Sequence, residues 1–253
     1  MNGKSRMGIS NSTLKLIAIS SMFVDHFALI LYYRYCISVH SFSGEQYDAY
    51  CIMRLIIGRI AFPIFCFLLT EGFLRTSDLG KYLLRMGIFA LVSEVPFDLA
   101  VHLKVWEPKG QNVFFTLFLG LLMMTVLQKI SGTVKTKWLK IEAMTAASAF
   151  FIAAAQFLRT DYGGYGICLI LAFYLFQQDK KYQMLAAGVA MVAGDFLWGM
   201  HGNQFMALLS LIPISFYHGR KGFGGKTGKY FAYLFYPLHL LLLWWLGSRM
   251  QLY

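Results

Sequence analysis

Apolar residues run along this chain in long blocks, separated by short clusters of Lys, Arg, Gly and Pro. Nine blocks stand out, near residues 13 to 33, 51 to 73, 82 to 101, 112 to 128, 139 to 158, 163 to 177, 182 to 199, 203 to 217 and 230 to 247. Blocks of this length predict helices that are apolar nearly all round. A hydrocarbon core about 30 Å thick takes about 20 helical residues, so the sixth and eighth blocks are short and are expected to tilt, kink or span incompletely. No low-complexity segment, long linker or soluble domain interrupts the series. The expectation is an all-α, polytopic transmembrane bundle of about nine helices, forming one domain over residues 1–253.

Composition agrees. Of the 253 residues, 58% are hydrophobic and 14% charged, against about 25% charged in an ordinary soluble domain. The positions of Lys and Arg then set the orientation. With a cytoplasmic N-terminus, the inner segments collect Lys4, Arg6 and Lys15, then Arg75, Lys81 and Arg85, then a lysine cluster at 129–140, Lys180 and Lys181, and finally Arg220 to Lys229. The outer segments hold only Arg34, Arg54, Lys104, Lys109, Arg159 and Arg249. The net charge of +11 is therefore a topology signal, supplemented by attraction to anionic lipid heads, and it calls for no nucleic-acid partner. The first block is too long, with the wrong flanks, for a cleaved signal peptide, so it is expected to remain.

Polar residues at membrane depth are costly, and each asks for a partner or a wet cavity. At about 1.5 Å per residue, Asp25 and His26 fall slightly past the midplane of the first helix, and Arg59 reaches nearly the same level on the second. Glu94 lies near the middle of the third helix with Asp98 one turn beyond, His239 near the middle of the ninth, and Asp195 somewhat nearer the outside on the seventh. Ionisable side chains from separate helices thus converge on one layer, which favours a shared polar cavity. Asp25 and His26 are sequence neighbours, so their side chains diverge and need different partners. Asp25 is expected to offset Arg59, with Glu94 as the competing carboxylate, and His26 to face the cavity. For Arg59, an ion pair and substrate contact both stand; for His26, catalysis and a hydrogen-bonded packing role.

Other positions have blander readings beside functional ones. Pro63 leaves the carbonyl of Arg59 without its helical donor. Glu71 sits at the inner end of its helix, solvated or lining a tunnel mouth. Asn112 has a helix-start position that capping explains, Asp161 precedes turn-forming glycines, and Asn203 lies in an outer loop. Alanine and glycine in the fifth and seventh helices suit close packing. Cys66 and Cys168 read as packing residues, whereas Cys36 and Cys51 bracket an outer loop that a disulfide could close. "GKT" at 225–227 is not a nucleoside-triphosphate loop, because Arg220 occupies the position where that pattern needs glycine and no strand precedes it.

The stretches "TLKLIAISSMFVDH", "GRIAFPIFCFLLTEGF", "KYLLRMGIFALVSEVPFDL", "QNVFFT", "DYGGYGI" and "KYFAYLFYPLHL", in this order, resemble the TraX family, named for a conjugal-transfer protein that acetylates the N-terminus of pilin. That family is similar in turn to the membrane acyltransferases that include acyltransferase-3 proteins and heparan glucosaminide acetyltransferase. By position, His26 matches the acyltransferase-3 histidine, Asp25 a polar neighbour, and Gly72-Phe73 the end of the second motif. The resemblance implies a multi-pass protein of the bacterial cytoplasmic membrane. It also implies cytoplasmic acetyl-CoA as co-substrate and an envelope acceptor, a pilin-like amine or a glycan. The loop from Tyr35 to Tyr50 has no counterpart in the resemblance.

The residues themselves fit that chemistry: His26 as general base, Arg59 stabilising charge, Asp25 and Glu94 holding the site. Asp98, Asn112, Asp195, His239 and Glu71 are candidate substrate-binding residues. No metal site is expected. A proton-coupled transporter and a noncatalytic assembly protein are the alternatives, the former weakened by the absence of an internal repeat.

Overall fold

A computed structural model describes residues 8–39, 43–199, 204–220, 222–223 and 225–253. Lys4, Arg6 and Asn203 lie outside the described residues. Helix occupies each of the nine predicted windows: α1 Asn11–Ser38, α2 Gly44–Arg75, α3 Leu79–Val92, α4 Val113–Thr133, α5 Lys137–Phe157, α6 Gly163–Leu175, α7 Lys180–Leu197, α8 Phe205–Ser215 and α9 Gly225–Arg249. The chain is an all-α transmembrane bundle. Five of the helical stretches, α1, α2, α4, α5 and residues Tyr230–Arg249 of α9, are long and apolar enough to cross a membrane. The sixth and eighth windows give the short α6 and α8.

Local sequence explains the boundaries. Ser10, Asp78, Asn112 and Asp179 each accept backbone N–H groups at a helix start. Ser43 and Gln46 close a reciprocal capping box. Buried Leu14, Ala18, Ser21 and Met22 form one stripe of α1, the spacing of a helix face turned to the core. Glycine permits close approach between helices: a Cβ on Gly120 would meet Ile170 at 2.3 Å, one on Gly194 would meet Tyr165 at 2.2 Å, and one on Gly58 would meet Asp25 Oδ1 at 2.4 Å. Gly194 bears out the packing role expected for α7. In α5, by contrast, only Phe151 and Ala155 are buried. Its alanines serve a peripheral helix with most of its surface outward.

The third window departs from a continuous helix. It stops at Val92, turns at Ser93, resumes over Glu94–Phe97 and ends as a π-helical turn, Asp98–His102. Pro96 is the cause, since it cannot donate to the carbonyl of Val92. Further π-helical turns occupy Ala28–Tyr32 in α1 and Ile52–Ile57 in α2, the latter followed by a 3-10 turn, Gly58–Ile60. Such turns displace carbonyls from the regular ladder and recur at functional sites. Each lies beside the polar layer. Cys36 and Cys51 are free thiols, so the connection from α1 to α2 is held without a disulfide.

Candidate functional site

His26, on α1, meets His239, on α9. Their nearest ring nitrogens, His26 Nδ1 and His239 Nε2, are 2.7 Å apart, and the rings have centroids 4.9 Å apart with 26° between their planes. The other nitrogen of His239, Nδ1, lies 2.7 Å from the carbonyl oxygen of Phe235, one turn back on α9. Aromatic rings frame the pair. Phe235 stacks on His239 at 4.7 Å, Tyr236 meets His26 edge-on at 6.0 Å, and Phe114 from α4 meets Tyr236 edge-on at 5.2 Å. His239 is buried and His26 half-buried, so the pair has one walled side and one open side.

Beside it are two arginines. Arg54 pairs with Asp25 at 3.3 Å and is the charged side chain that reaches His26 electrostatically. The expected Asp25–Arg59 ion pair is thus corrected: the π turn over Ile52–Ile57 rotates Arg54 toward α1, and Arg54 takes the carboxylate. Arg59 stays within electrostatic reach of Asp25 and lies against Tyr162, with Asp161 beyond. Glu94 is not its partner. The carbonyls of Ile57 and Gly58, displaced where the π turn meets the 3-10 turn, are both offered to the Ser21 hydroxyl, which donates at 2.5 Å and 3.4 Å respectively. Placement of Arg59 thus depends on a serine of α1 as well as on Pro63.

Tyr162 is set by unusual backbone. It has φ +64 and ψ −8 as the residue preceding α6, a left-handed conformation that strains a bulky L-residue. Its ring lies parallel on Phe62, 3.7 Å between centroids. The connection is fixed from both sides: Asp161 N–H donates to the carbonyl of Gln111 at 2.8 Å, and the Thr116 hydroxyl donates to the carbonyl of Asp161. Asp161, read from sequence as a loop residue, is therefore held against the arginines.

The carboxylates of the broken third helix complete the layer. Glu94 Oε2 accepts from the backbone N–H and the side-chain amide of Asn112, at 3.2 Å and 2.5 Å. Asn112 also caps α4 through Phe114 N–H at 3.0 Å and donates to the carbonyl of Ala90 at 2.8 Å. The capping reading was right, with a second task added. Asp98 Oδ2 accepts from Glu107 N–H at 2.8 Å, tying down the following loop. Among the described residues, Glu94 Oε1, Asp98 Oδ1, Asp25 Oδ1 and Arg59 Nε are buried without a hydrogen-bond partner. Buried groups in that state are rare and mark water, strain or a ligand site. Tyr236 joins the halves, since Glu94, Asp161 and Tyr162 all lie within its electrostatic reach.

Two expected residues sit elsewhere. Asp195 is buried and accepts Gln204 N–H at 3.0 Å, so it anchors the start of α8. Glu71 pairs with Arg75 at 2.7 Å at the far end of α2. Sequence reading missed Arg54, Tyr162 and Tyr236 as members of the site. Tyr236 stands three residues before His239, on the same helical face; Arg54 was hidden by its assignment to an outer segment; Tyr162 carried no signal beyond the glycines after it.

A family model described as TraX protein matches residues 10–247. The chain belongs to the TraX family. A relative, "Probable fimbrial assembly protein FimC, serogroup H1" of Dichelobacter nodosus, is 30% identical over 252 residues, covering 91% of this chain and 92% of that protein. No solved structure matches.

Proposed function

We propose that this TraX-family protein is an integral membrane acetyltransferase. In this reading it moves an acetyl group from cytoplasmic acetyl-CoA to an amine or hydroxyl of an envelope acceptor, pilin-like protein or glycan, within the polar layer of the bundle. The observation that carries the reading is the half-open His26–His239 pair set beside Arg54 and Arg59. Membership of the TraX family and the likeness to a protein named for fimbrial assembly support an acceptor in a surface structure. The N-terminus lies on the cytoplasmic side of a bacterial inner membrane, nine helices cross or enter the bilayer, and the basic loops face the thioester donor.

The chemistry needs little machinery. His26 takes the proton of the attacking amine or hydroxyl as that atom bonds to the thioester carbonyl. The carbonyl oxygen gains negative charge, which Arg59 and Arg54 stabilise in surroundings of low dielectric. The tetrahedral intermediate collapses, the carbon–sulfur bond breaks, and the proton held by His26 passes to the departing thiolate. Asp25 holds Arg54, Tyr162 holds Arg59, and Glu94 with Asn112 sets the opposite wall. Transfer is direct in this reading, and Cys66 is a fully buried packing residue.

Purified protein in liposomes with labelled acetyl-CoA tests this: thioester turnover or acceptor labelling is expected. Proton-coupled flux without turnover would make it a transporter. The relative's printed name favours a second reading, a noncatalytic assembly protein, and specific absence of both activities would select it.

A further inference from the structure

The two histidines do not share their bond symmetrically. A backbone carbonyl can only accept, so the 2.7 Å contact between His239 Nδ1 and the carbonyl of Phe235 places a proton on that nitrogen. In a neutral ring the other nitrogen, Nε2, then carries a lone pair. Its neighbour at 2.7 Å, His26 Nδ1, must donate to it. The proton of His26 is thereby assigned to Nδ1, and His26 Nε2 is left with the free lone pair.

We infer that His239 is a positioning residue: through the relay from the Phe235 carbonyl to His239 to His26, it fixes the tautomer and ring plane of His26 so that Nε2 is the atom that takes a proton. This replaces the substrate-binding role expected for His239 and rests on the acetyltransferase reading only for its kinetic part. Stacking of Phe235 on His239, at 4.7 Å and 14°, sets the ring in place. Burial of His239, which is 3% exposed, keeps water from competing for its Nε2. Among the described residues no carboxylate hydrogen-bonds to either ring, so a carbonyl does here what an aspartate does in hydrolase triads, where the wrong tautomer is costly.

The test compares two substitutions of His239. His239→Gln keeps an acceptor near the position of Nε2, whereas His239→Leu keeps bulk without one. Ring-nitrogen NMR of 15N-histidine-labelled protein in liposomes, with His26 assigned by His26→Gln, reads the tautomer directly. The wild type and His239→Gln should show His26 protonated at Nδ1 with Nε2 bare; His239→Leu should show the two tautomers mixed. In acetyl transfer, His239→Leu should lower kcat by about 10²-fold with KM for acetyl-CoA unchanged, and His239→Gln should recover most of that loss.

A His26 proton on Nε2 in the wild type would overturn the inference, because it would make His239 the donor. So would an unchanged His26 tautomer in folded His239→Leu, or equal kcat in the two variants. Should the wild type transfer no acetyl group, the catalytic reading fails while the tautomer measurement still decides the relay.

Discussion

The middle-layer cluster and the Arg75 end of the bundle contain the same kinds of side chain in different pairings. At the Arg75 end, Arg75 closes on Glu71 at 2.7 Å and donates to the carbonyl of Gly219 at 2.6 Å, and Lys180 donates to the carbonyls of Ser215 and Tyr217 at 2.5 Å and 2.7 Å. These cations are spent on fastening the ends of α2, α7 and α8 to one another. In the middle layer, Glu94, Asp98, Asp25 and Arg59 each keep a buried polar atom with no protein partner. Glu71 meets a guanidinium, whereas Glu94 accepts from the amide groups of Asn112 and Asp98 from a backbone N–H. Glu71, placed from sequence at the inner end of its helix, has an arginine for a partner, and Glu94, placed near the middle of the third, has an asparagine.

Mutations can sharpen or break that contrast. The largest effect is expected for His26→Ala, which should lower acetyl transfer by about 10²- to 10⁴-fold with folding intact by thermal unfolding in detergent. Arg54→Ala comes next. It removes the ion-pair partner of Asp25, which is 19% exposed, and should cost about 1–3 kcal/mol of stability together with most of the transfer. An active, fully stable Arg54→Ala protein would show that the pair is dispensable. Gly58→Ala adds a methyl group 2.4 Å from Asp25 Oδ1. Parting α1 from α2 should cost about 1–3 kcal/mol and lower kcat, while Gly132→Ala, where the new Cβ meets nothing within 4 Å, serves as the silent control. The smallest effect is expected for Arg75→Gln. Its side chain is 47% exposed, so the lost pair should cost under about 1 kcal/mol and leave transfer unchanged. Loss of transfer there would erase the distinction between the two regions.

Much of the fold was legible because lipid imposes a simple code. The apolar blocks located helix in all nine windows, and the short sixth and eighth blocks became the short α6 and α8. What block length could not convey was irregular backbone. Nothing in hydropathy separates the π turn at Ile52–Ile57 from regular helix, yet that turn decides whether Arg54 or Arg59 receives Asp25. Pro96, readable in principle, was outweighed by the apolar run around it.

The site was half legible for the same reason. Depth along each helix brought Asp25, His26, Arg59, Glu94 and His239 to one layer, but rotation about each helix axis was invisible, so their pairings came out differently. Asn112 was read correctly because an N-cap is a local event. Asp161 and Tyr162 were underestimated because a left-handed residue before a glycine looks like any turn until Phe62 and Arg59 are seen against it.

The most direct measurement is mass spectrometry of envelope proteins and glycans from cells carrying the wild-type gene, no gene, or the His26→Ala gene. An acetyl group present on an envelope molecule in the first and missing from the other two is the predicted result. The same acetylation pattern in all three would contradict acetyl transfer at His26.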